Sequence, residues 1–396
     1  MHNSPHLASE SAVFRPLGFS LCLTWAITSI LLVLFPPNLL AKNEARESPS
    51  TYQQAQPGYT FQFPHDHGAH ERFLTEWWYF TGHLFTADKR RFGYELTFFR
   101  RAVDDDRVHT HPSQWAIRQL YLAHFALTDE QRQDFRFAEK ISRAGVGKAG
   151  AKEGLLHTWI DRWFVKATDN EHKTFHLHAQ AKDFAVDLFT TALKPPVIHG
   201  RGGISQKGAR STHASHYYSL PRLQTRGTLH VQEQEYSVTG TSWMDQEFAS
   251  SDLEDGLVGW DWFSIQLDSG HDIMTYWLRQ EDGTFSSASS GTLIFPDGSS
   301  RHLTRKDLKL TILDHWNSPQ SGAHYPSEWT LSLHSPPIQL HIKPLTANQE
   351  LQTTKSTQVT YWEGAVDVSG TFEQTPASGM GYVELTGYAE PYKPGS

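Results

Sequence analysis

Two carboxylates placed two residues apart are the first candidates for chemistry in the sequence. Asp245 and Glu247 lie in the segment Ser-Trp-Met-Asp-Gln-Glu-Phe at 242–248. In a β-strand, residues i and i+2 point to the same face, so both carboxylates would face one space, as an acid–base pair or a small cation site requires. The alternative is a turn in which Asp245 accepts hydrogen bonds from backbone N–H groups.

Two further acids, Glu76 and Asp261, alternate with aromatic and aliphatic residues. Glu76 shares a strand face with Trp78, where burial would raise the pKa of its carboxyl and suit it to general-acid catalysis. The alternative is a structural ion pair, for instance with Arg100. Asp261 points where a core is expected and needs a partner, for which Arg279 on the following strand is the candidate. For both acids we favour the structural pair.

A segment rich in glycine and proline, residues 195–204, precedes Ser215–Ser219, and we predict a loop for both. His216, beside the hydroxyls of Tyr217 and Tyr218, could relay a proton there. The alternative is an ordinary hydrogen-bonded loop. Aromatic residues and one acid near these motifs are expected to bind a ligand. They are Trp78, Tyr217, Tyr218, Trp243, Trp260, Asp261, Trp262 and Tyr276.

Several classes of function are disfavoured by what the sequence lacks. It has no Gly-x-Ser-x-Gly elbow, Walker loop, dinucleotide glycine motif or His-Glu-x-x-His, so we expect no cofactor. His65-Asp66-His67 and His109-Thr110-His111 are incomplete ligand sets, so no metal is expected. The net charge is −8 without a basic stripe, which argues against nucleic acid as a partner. The single cysteine, Cys22, lies in the leader and leaves the rest without thiol chemistry.

Short alternating segments between turn residues predict an all-β chain. Aromatic residues make up 13% of the sequence, and their flat rings suit a pleated surface. Residues 129–153 are weakly helical in pattern. The predicted strands include 76–84, 94–99, 121–127, 174–179, 227–231, 260–267, 273–279, 291–295, 329–333 and 338–342.

The organisation of the chain follows from composition. An uncharged apolar run at 17–35 predicts that residues 1–41 form a signal peptide or an anchor, and polar residues 42–57 form a linker. A polar stretch near 250–256 divides the rest into domains at 58–250 and 251–396, each sized for one barrel of about eight strands. We expect a periplasmic or secreted protein, anchored in the inner membrane only if the leader is uncleaved.

Seven ordered motifs from about Tyr59 to Tyr388 carry a family resemblance. The chain resembles the lipocalin-like family that contains the AttH proteins and the carotenoid 1,2-hydratases. This resemblance implies two lipocalin-like antiparallel β-barrels packed together. The motifs lie at 76–79, 95–100, 216–219, 243–247, 259–262, 361–366 and 381–388.

The resemblance also implies an activity, although it weakens at the residues concerned. The hydratases add water across a carbon–carbon double bond, which needs an acid to protonate the alkene and a group to deliver water. Where they have Asp-His-Asn-Trp, this chain has Asp-Gln-Glu-Phe at 245–248, and a Tyr-Asp pair of theirs falls at 274–277, Met-Thr-Tyr-Trp. Carotenoid hydration itself is therefore not implied.

Two functions remain as expectations. The first is an enzyme that hydrates or hydrolyses an apolar, lipid- or terpenoid-like molecule, with Asp245 and Glu247 as acid and base and Glu76 and His216 assisting. The second is a non-catalytic lipocalin-type carrier, or a periplasmic accessory of a lipid or lipoprotein exporter. In both, a hydrophobic small molecule would lie inside ring-lined barrels.

Overall fold

Alternating apolar and polar residues fold into strands over almost the whole of the part that the structure describes. The computed structural model describes residues 52–103, 111–113, 116–251 and 253–392. In these residues there are 23 β-strands and one 3₁₀ turn, His65–His67, and no α-helix. This arrangement confirms the all-β fold predicted from the sequence.

The first sheet is antiparallel, has 13 strands and curls toward a barrel. Its order is β4-β3-β2-β1-β13-β12-β9-β8-β7-β6-β5, with β10 and β11 paired to β12. The strands are β1 Thr75–Phe85, β2 Arg91–Ala102, β3 Gln119–Asp129, β4 Asp134–Arg143, β5 Ala149–Ala151, β6 His157–Ile160, β7 Trp163–Ala167, β8 Thr174–Gln180, β9 Phe184–Ala192, β10 Val197–Ile198, β11 Ser205–Gln206, β12 Ala214–Val231 and β13 Gln234–Ala249.

The second sheet is also antiparallel, with 10 strands. Its order is β17-β16-β15-β14-β23-β22-β20-β19-β18, with β21 paired to β22. The strands are β14 Leu257–Leu267, β15 Asp272–Gln280, β16 Ser290–Ile294, β17 Ser300–Thr304, β18 Leu308–Asn317, β19 His324–Leu333, β20 Ile338–Pro344, β21 Glu350–Gln352, β22 Thr360–Phe372 and β23 Thr375–Thr386.

Two local predictions are wrong. Residues 129–153, predicted to be partly helical, contain β4 and β5, because β4 pairs along its length with β3. Its half-exposed residues show little alternation in burial, so its pattern gave no strand signal. Ser215–Ser219, predicted as a loop, lies within β12, where pairing with β13 holds the backbone extended.

Side chains fill the interiors of both sheets. Phe80, Leu96 and Phe125 of the first sheet and Phe263 and Trp277 of the second are 0% exposed. A side chain without accessible surface has no water-sized void beside it. These side chains leave no hollow beside them, and the ligand inside the barrels stays a prediction.

The outward faces of β1, β2, β12 and β13 pack on those of β14, β15, β22 and β23. Aromatic residues from both sheets form one buried cluster in this layer, including Tyr79, Tyr217, Trp243, Trp262 and Tyr276. Polar contacts also cross it, as where Gln266 Nε2 donates to the Ser242 carbonyl at 3.0 Å. The candidate site lies in this layer between the sheets.

Several predictions concern residues outside the described part. They are the leader at 1–41, Cys22, most of the linker and the His109-Thr110 pair. From residue 52 onward the chain already contacts the first sheet, because Gln53 N donates to the Arg72 carbonyl at 2.8 Å and Ala55 is buried. In the described ranges, no helix has the length and apolarity needed to span a bilayer.

Candidate active site

Strand alternation brings Asp245 and Glu247 to the layer between the sheets. Both lie on β13, and Asp245 pairs with Tyr79 of β1 and Ser219 of β12. The motif therefore forms a strand, as predicted, and the alternative interpretation as a turn is wrong. Residues 244, 246 and 248 point the other way, into the first sheet.

The Asp245 carboxyl is buried and surrounded by uncharged donors. Tyr217 Oη donates to Oδ2 at 2.5 Å, Trp243 Nε1 donates to Oδ1 at 2.6 Å, and Ser219 Oγ also donates to Oδ1. Burial nevertheless dominates and raises the pKa of Asp245 to about 7, although these hydrogen bonds oppose the rise. A carboxyl with this pKa can exchange a proton near neutral pH, as a general acid must.

Glu247 is the second carboxylate of the motif and pairs with a lysine. Lys207 Nζ lies 3.0 Å from Glu247 Oε1. The same ammonium lies 3.9 Å from the ring centroid of Tyr276 and 4.9 Å from that of Tyr217, as in cation–π contacts. Burial lowers the pKa of Lys207, but Glu247 and the neighbouring groups outweigh this and raise it, so Lys207 is a cation.

Glu384 of β23 adds a third carboxylate from the opposite sheet. Trp260 Nε1 donates to its Oε1 at 3.0 Å and Thr386 Oγ1 at 2.9 Å. Burial, and to a smaller extent Glu247, raises the pKa of Glu384 to about 7. The two hydrogen-bond donors and Lys207 oppose this rise. Glu384 and Trp260 are partly exposed, so this edge of the site faces solvent.

Aromatic rings from both sheets form the wall beside these acids. Trp262 donates from Nε1 to Tyr217 Oη at 3.0 Å. Its ring centroid lies 5.1 Å from that of Tyr79 and 6.3 Å from that of Trp243. Tyr276 is hydrogen-bonded to the Gln206 carbonyl at 2.9 Å. Of the predicted ligand-binding residues, Tyr217 and Trp243 contact Asp245 and Trp262 contacts Tyr217. Tyr276 lies against Lys207, and Trp260 against Glu384.

A small cavity adjoins this wall. It lies between the sheets, is lined by residues that include Trp243, Thr81, His83 and Tyr382, and has room for about one water molecule. A larger ligand would therefore have to displace side chains at the partly exposed edge formed by Trp260 and Glu384.

Glu76 and His216 lie on the opposite face of the first sheet, at one end of its interior. Glu76 accepts hydrogen bonds from His70 Nδ1 at 2.7 Å and from Arg100 Nε at 3.2 Å. Burial alone would raise the pKa of Glu76. The effect of His70 and Arg100 is larger, so the pKa of Glu76 is lowered. The predicted rise is wrong, and the ion pair with Arg100 is confirmed.

The remaining predicted residues on that face take part in packing and hydrogen bonding. Trp78 is 1% exposed, and its Nε1 donates to the His67 carbonyl at 3.1 Å. Tyr218 Oη donates to Gln246 Oε1 at 2.6 Å. His216 is hydrogen-bonded to the Gly203 carbonyl at 3.0 Å. The structure therefore does not bring these residues together with Asp245.

Asp261 points into the second sheet and is paired there. Arg279 Nε donates to its Oδ1 at 3.0 Å, and Tyr388 Oη does so at the same distance. Burial raises the pKa of Asp261 to about 6, which Arg279 opposes. The predicted structural pair with Arg279 is confirmed, and Asp261 does not face the site.

Sequence reasoning missed Lys207 and Glu384 as site residues. Glu384 stands in the closing motif between Tyr382 and Thr386 at two-residue spacing, and this alternation could have assigned it to the same face as those residues. Nothing in the sequence around Lys207 points to Glu247, because their contact depends on how the 207–213 loop folds back.

Comparison with known proteins shows to which family the chain belongs. The AttH-like family model matches residues 54–388. The crystal structure of a protein from Nitrosomonas europaea described as an AttH is 34% identical, covers 85% of this chain and 99% of that chain, and superposes with a TM-score of 0.76.

Two more distant relatives are named for adding or removing water. Kievitone hydratase from Nectria haematococca is 15% identical over 86% of this chain and 98% of its own, with a TM-score of 0.67, which shows a shared fold. Dehydratase asqC from Emericella nidulans is 23% identical over 250 residues, or 61% of this chain. The match spans 66% of that dehydratase, just under two thirds of its length. With the family model matching most of the chain, the protein belongs to the AttH-like family of lipocalin-like proteins.

Proposed function

We propose that this protein is an enzyme that adds water to, or removes water from, an apolar small molecule bound between the two sheets. Asp245 is the acid of the reaction. The observation that carries this proposal is its buried carboxyl, whose pKa is raised to about 7 among uncharged donors. Such a group protonates an alkene carbon in hydration, or a leaving hydroxyl in dehydration.

The aromatic wall supports an apolar substrate that becomes cationic during the reaction. Protonating an alkene leaves positive charge on carbon, and the faces of aromatic rings stabilise such charge. Tyr79, Trp243, Trp262 and Tyr276 supply rings beside Asp245. We therefore propose a terpenoid- or lipid-like alkene, or the corresponding alcohol, as the substrate class.

The relatives support the same class of reaction. One is named a dehydratase and another a hydratase, and the two names describe opposite directions of one chemistry. A carrier without turnover needs no group that exchanges protons, whereas burial raises the pKa of Asp245 to about 7, and this favours the enzyme over the carrier.

Export is a separate proposal that rests on the sequence. The apolar run at 17–35 supports transport of the protein to the periplasm or beyond, with inner-membrane attachment if the leader stays uncleaved. Fractionation of cells that express the full chain tests this proposal. Recovery of the protein only with cytoplasmic markers would contradict it.

Oxygen exchange tests the reaction without knowledge of the natural substrate. The full-length protein is incubated with linalool or geraniol in H₂¹⁸O, and mass spectrometry follows ¹⁸O in the alcohol. Dehydration followed by rehydration replaces the hydroxyl oxygen. We expect exchange with the wild type and a loss of roughly 10²- to 10⁴-fold in Asp245→Asn, because the acid is removed while its shape is kept.

A surface aspartate provides the matched control. Asp187 is hydrogen-bonded to His176 and His178 on the first sheet, away from the layer between the sheets, so Asp187→Asn should keep the wild-type rate. Equal exchange in Asp245→Asn and the wild type would contradict the role of Asp245. No exchange by a folded wild type would contradict the terpenoid substrate class.

A further inference from the structure

Glu384 has a second carboxylate on one side and a tryptophan on the other. In the antiparallel pairing of β22 and β23, Glu363 is directly opposite Glu384. On the other flank, Trp262 of β14 is directly opposite Glu384. Directly opposed residues have Cβ atoms roughly 4.5–5.5 Å apart, and like charges there repel each other. This repulsion disfavours the state in which Glu363 and Glu384 are both ionised.

Trp262 connects Glu384 to the acid on the other sheet. Its indole N–H donates to Tyr217 Oη at 3.0 Å, and Tyr217 Oη donates to Asp245 at 2.5 Å. Asp245 and Glu384 thus lie on different sheets and flank the same indole ring. A substrate lying against Trp262 would have one carboxyl on each side.

Glu247, the partner expected for Asp245 from the sequence, is engaged elsewhere. Its Oε1 is held by Lys207 Nζ at 3.0 Å. The donors to Glu384 are instead the neutral Trp260 N–H and Thr386 hydroxyl, and both reach the same oxygen, Oε1. Glu384 is also partly exposed, so water can reach it.

Glu363 has the properties of a group that holds a proton. Tyr79 Oη donates to its Oε1 at 2.5 Å. Its Oε2 has no hydrogen-bond donor among the described residues, and Glu363 is 0% exposed. A buried carboxylate oxygen without a donor is costly, whereas a protonated one becomes a donor itself.

We propose that Glu384 is the second catalytic carboxyl of the site, which takes the proton from the attacking water, and that protonated Glu363 is a positioning residue that orients it. This inference rests on the proposed function and replaces Glu247 by Glu384 as the partner of Asp245. It assigns the two halves of the reaction to the two sheets.

The steps balance in both directions. In hydration, the π electron pair of the alkene takes the proton of Asp245 and forms a C–H bond, which leaves a cation on the neighbouring carbon. A lone pair of water forms the C–O bond, and one proton of that water passes to Glu384. Solvent then returns a proton to Asp245 and takes one from Glu384. Dehydration reverses each step and releases water.

The charged groups around Glu384 determine how Glu384 and Glu363 titrate. Glu363 on β22, Glu95 on β2, Glu247 on β13 and Lys207 of the 207–213 loop all act on it or on its partner. Burial, then Glu384 and Glu95, raise the pKa of Glu363 well above its usual range. Burial also raises the pKa of Glu384 to about 7.

Carboxyl titration of the substrate-free, full-length protein tests the pair directly. Glutamate is labelled with ¹³C at Cδ, and resonances are assigned from the variants. We expect one midpoint near pH 7 that disappears in Glu384→Gln, together with a shift of the Glu363 midpoint to lower pH, because a neighbouring negative charge is gone. Glu384 titrating near 4.5, its usual value, or an unmoved Glu363 midpoint, would overturn the proposal.

Oxygen exchange then separates catalysis from positioning. Glu384→Gln should lose roughly 10²-fold or more in rate. Glu363→Leu should shift the pH–rate profile, and Glu363→Gln, whose amide can still donate, should restore the profile. The matched control Glu328→Gln changes a glutamate paired with His341 at 2.6 Å on the same sheet and should match the wild type.

The proposed function and the role of Glu384 can be contradicted separately. If the wild type exchanges oxygen and Glu384→Gln exchanges equally fast, the role of Glu384 is wrong and the proposed function stands. If the wild type exchanges nothing, the proposed function is contradicted for this substrate class, and the titration still decides whether Glu363 and Glu384 share a proton.

Discussion

Glu76, Asp245 and Asp261 are all buried beside aromatic rings, yet their partners differ. Glu76 lies between a histidine and an arginine, which lower its pKa, and Asp261 is paired with an arginine. Asp245 has only uncharged donors, so burial raises its pKa to about 7. Charged partners therefore oppose burial to different degrees: His70 and Arg100 lower the pKa of Glu76, whereas Arg279 only limits the rise at Asp261 to about 6.

The faces of these residues could be predicted from the sequence, whereas most of their partners could not. Two-residue alternation placed Asp245 and Glu247 together and pointed Asp261 toward Arg279 on the next strand. His70, which contacts Glu76, precedes β1 in a segment without a regular pattern. A contact that depends on how a loop folds back leaves no periodic signal in the sequence.

His70 gives a prediction about pH and stability. Burial lowers its pKa, but Glu76 and Asp66 outweigh this and raise it from 6.5 to about 9. Protonated His70 therefore stabilises the fold fully below pH 6.5, and this stabilisation is lost as the pH rises to 9. Between these values, we expect the free energy of unfolding to fall by on the order of 3 kcal/mol more in the wild type than in His70→Gln.

Urea unfolding at a series of pH values measures this difference. His334→Gln changes an exposed histidine and should follow the wild type. Parallel pH dependence in the wild type and His70→Gln would show that folding does not raise the pKa of His70.

At the scale of elements, one face of β1 packs inside the first sheet and its other face contributes to the site. Even-numbered residues of β1, such as Phe80, fill the first sheet, and odd-numbered residues, such as Tyr79, face the second. Strands with clear alternation, such as those at 76–84 and 260–267, were predicted correctly. The edge strand β4 was missed because its half-exposed residues do not alternate and its pairing with β3 decides its conformation.

Substitutions at neighbouring positions of β1 should separate stability from chemistry. Phe80→Ala leaves a cavity among residues that are 0% exposed and should reduce the free energy of unfolding by about 3–5 kcal/mol. Tyr79→Phe keeps the ring and removes the hydroxyl that donates to Glu363. Since that hydrogen bond lowers the pKa of Glu363, we expect its midpoint to rise further in Tyr79→Phe.

Chemical denaturation and the ¹³C titration check these two outcomes. If Tyr79→Phe were as destabilising as Phe80→Ala and left Glu363 unchanged, the division of β1 into a packing face and a site face would be wrong.

At the scale of the molecule, the site exists because two similar sheets present their outward faces to each other. Tyr217 and Asp245 come from the first sheet and Trp262 and Glu384 from the second. The sequence predicted two barrels from its length and strand pattern. Which faces meet depends on contacts between residues far apart in the chain, so the layer between the sheets could not be predicted from the sequence.

The packing of the second sheet on Asp245 is what keeps water from its carboxyl. Because the proposed chemistry depends on that desolvation, titration of the ¹³Cγ-labelled aspartate in the intact protein is the most direct test, with Asp245→Asn for assignment. We predict a midpoint near pH 7. A midpoint near 3.8, the usual value of an aspartate, would show a permanently ionised carboxylate and contradict its role as the acid.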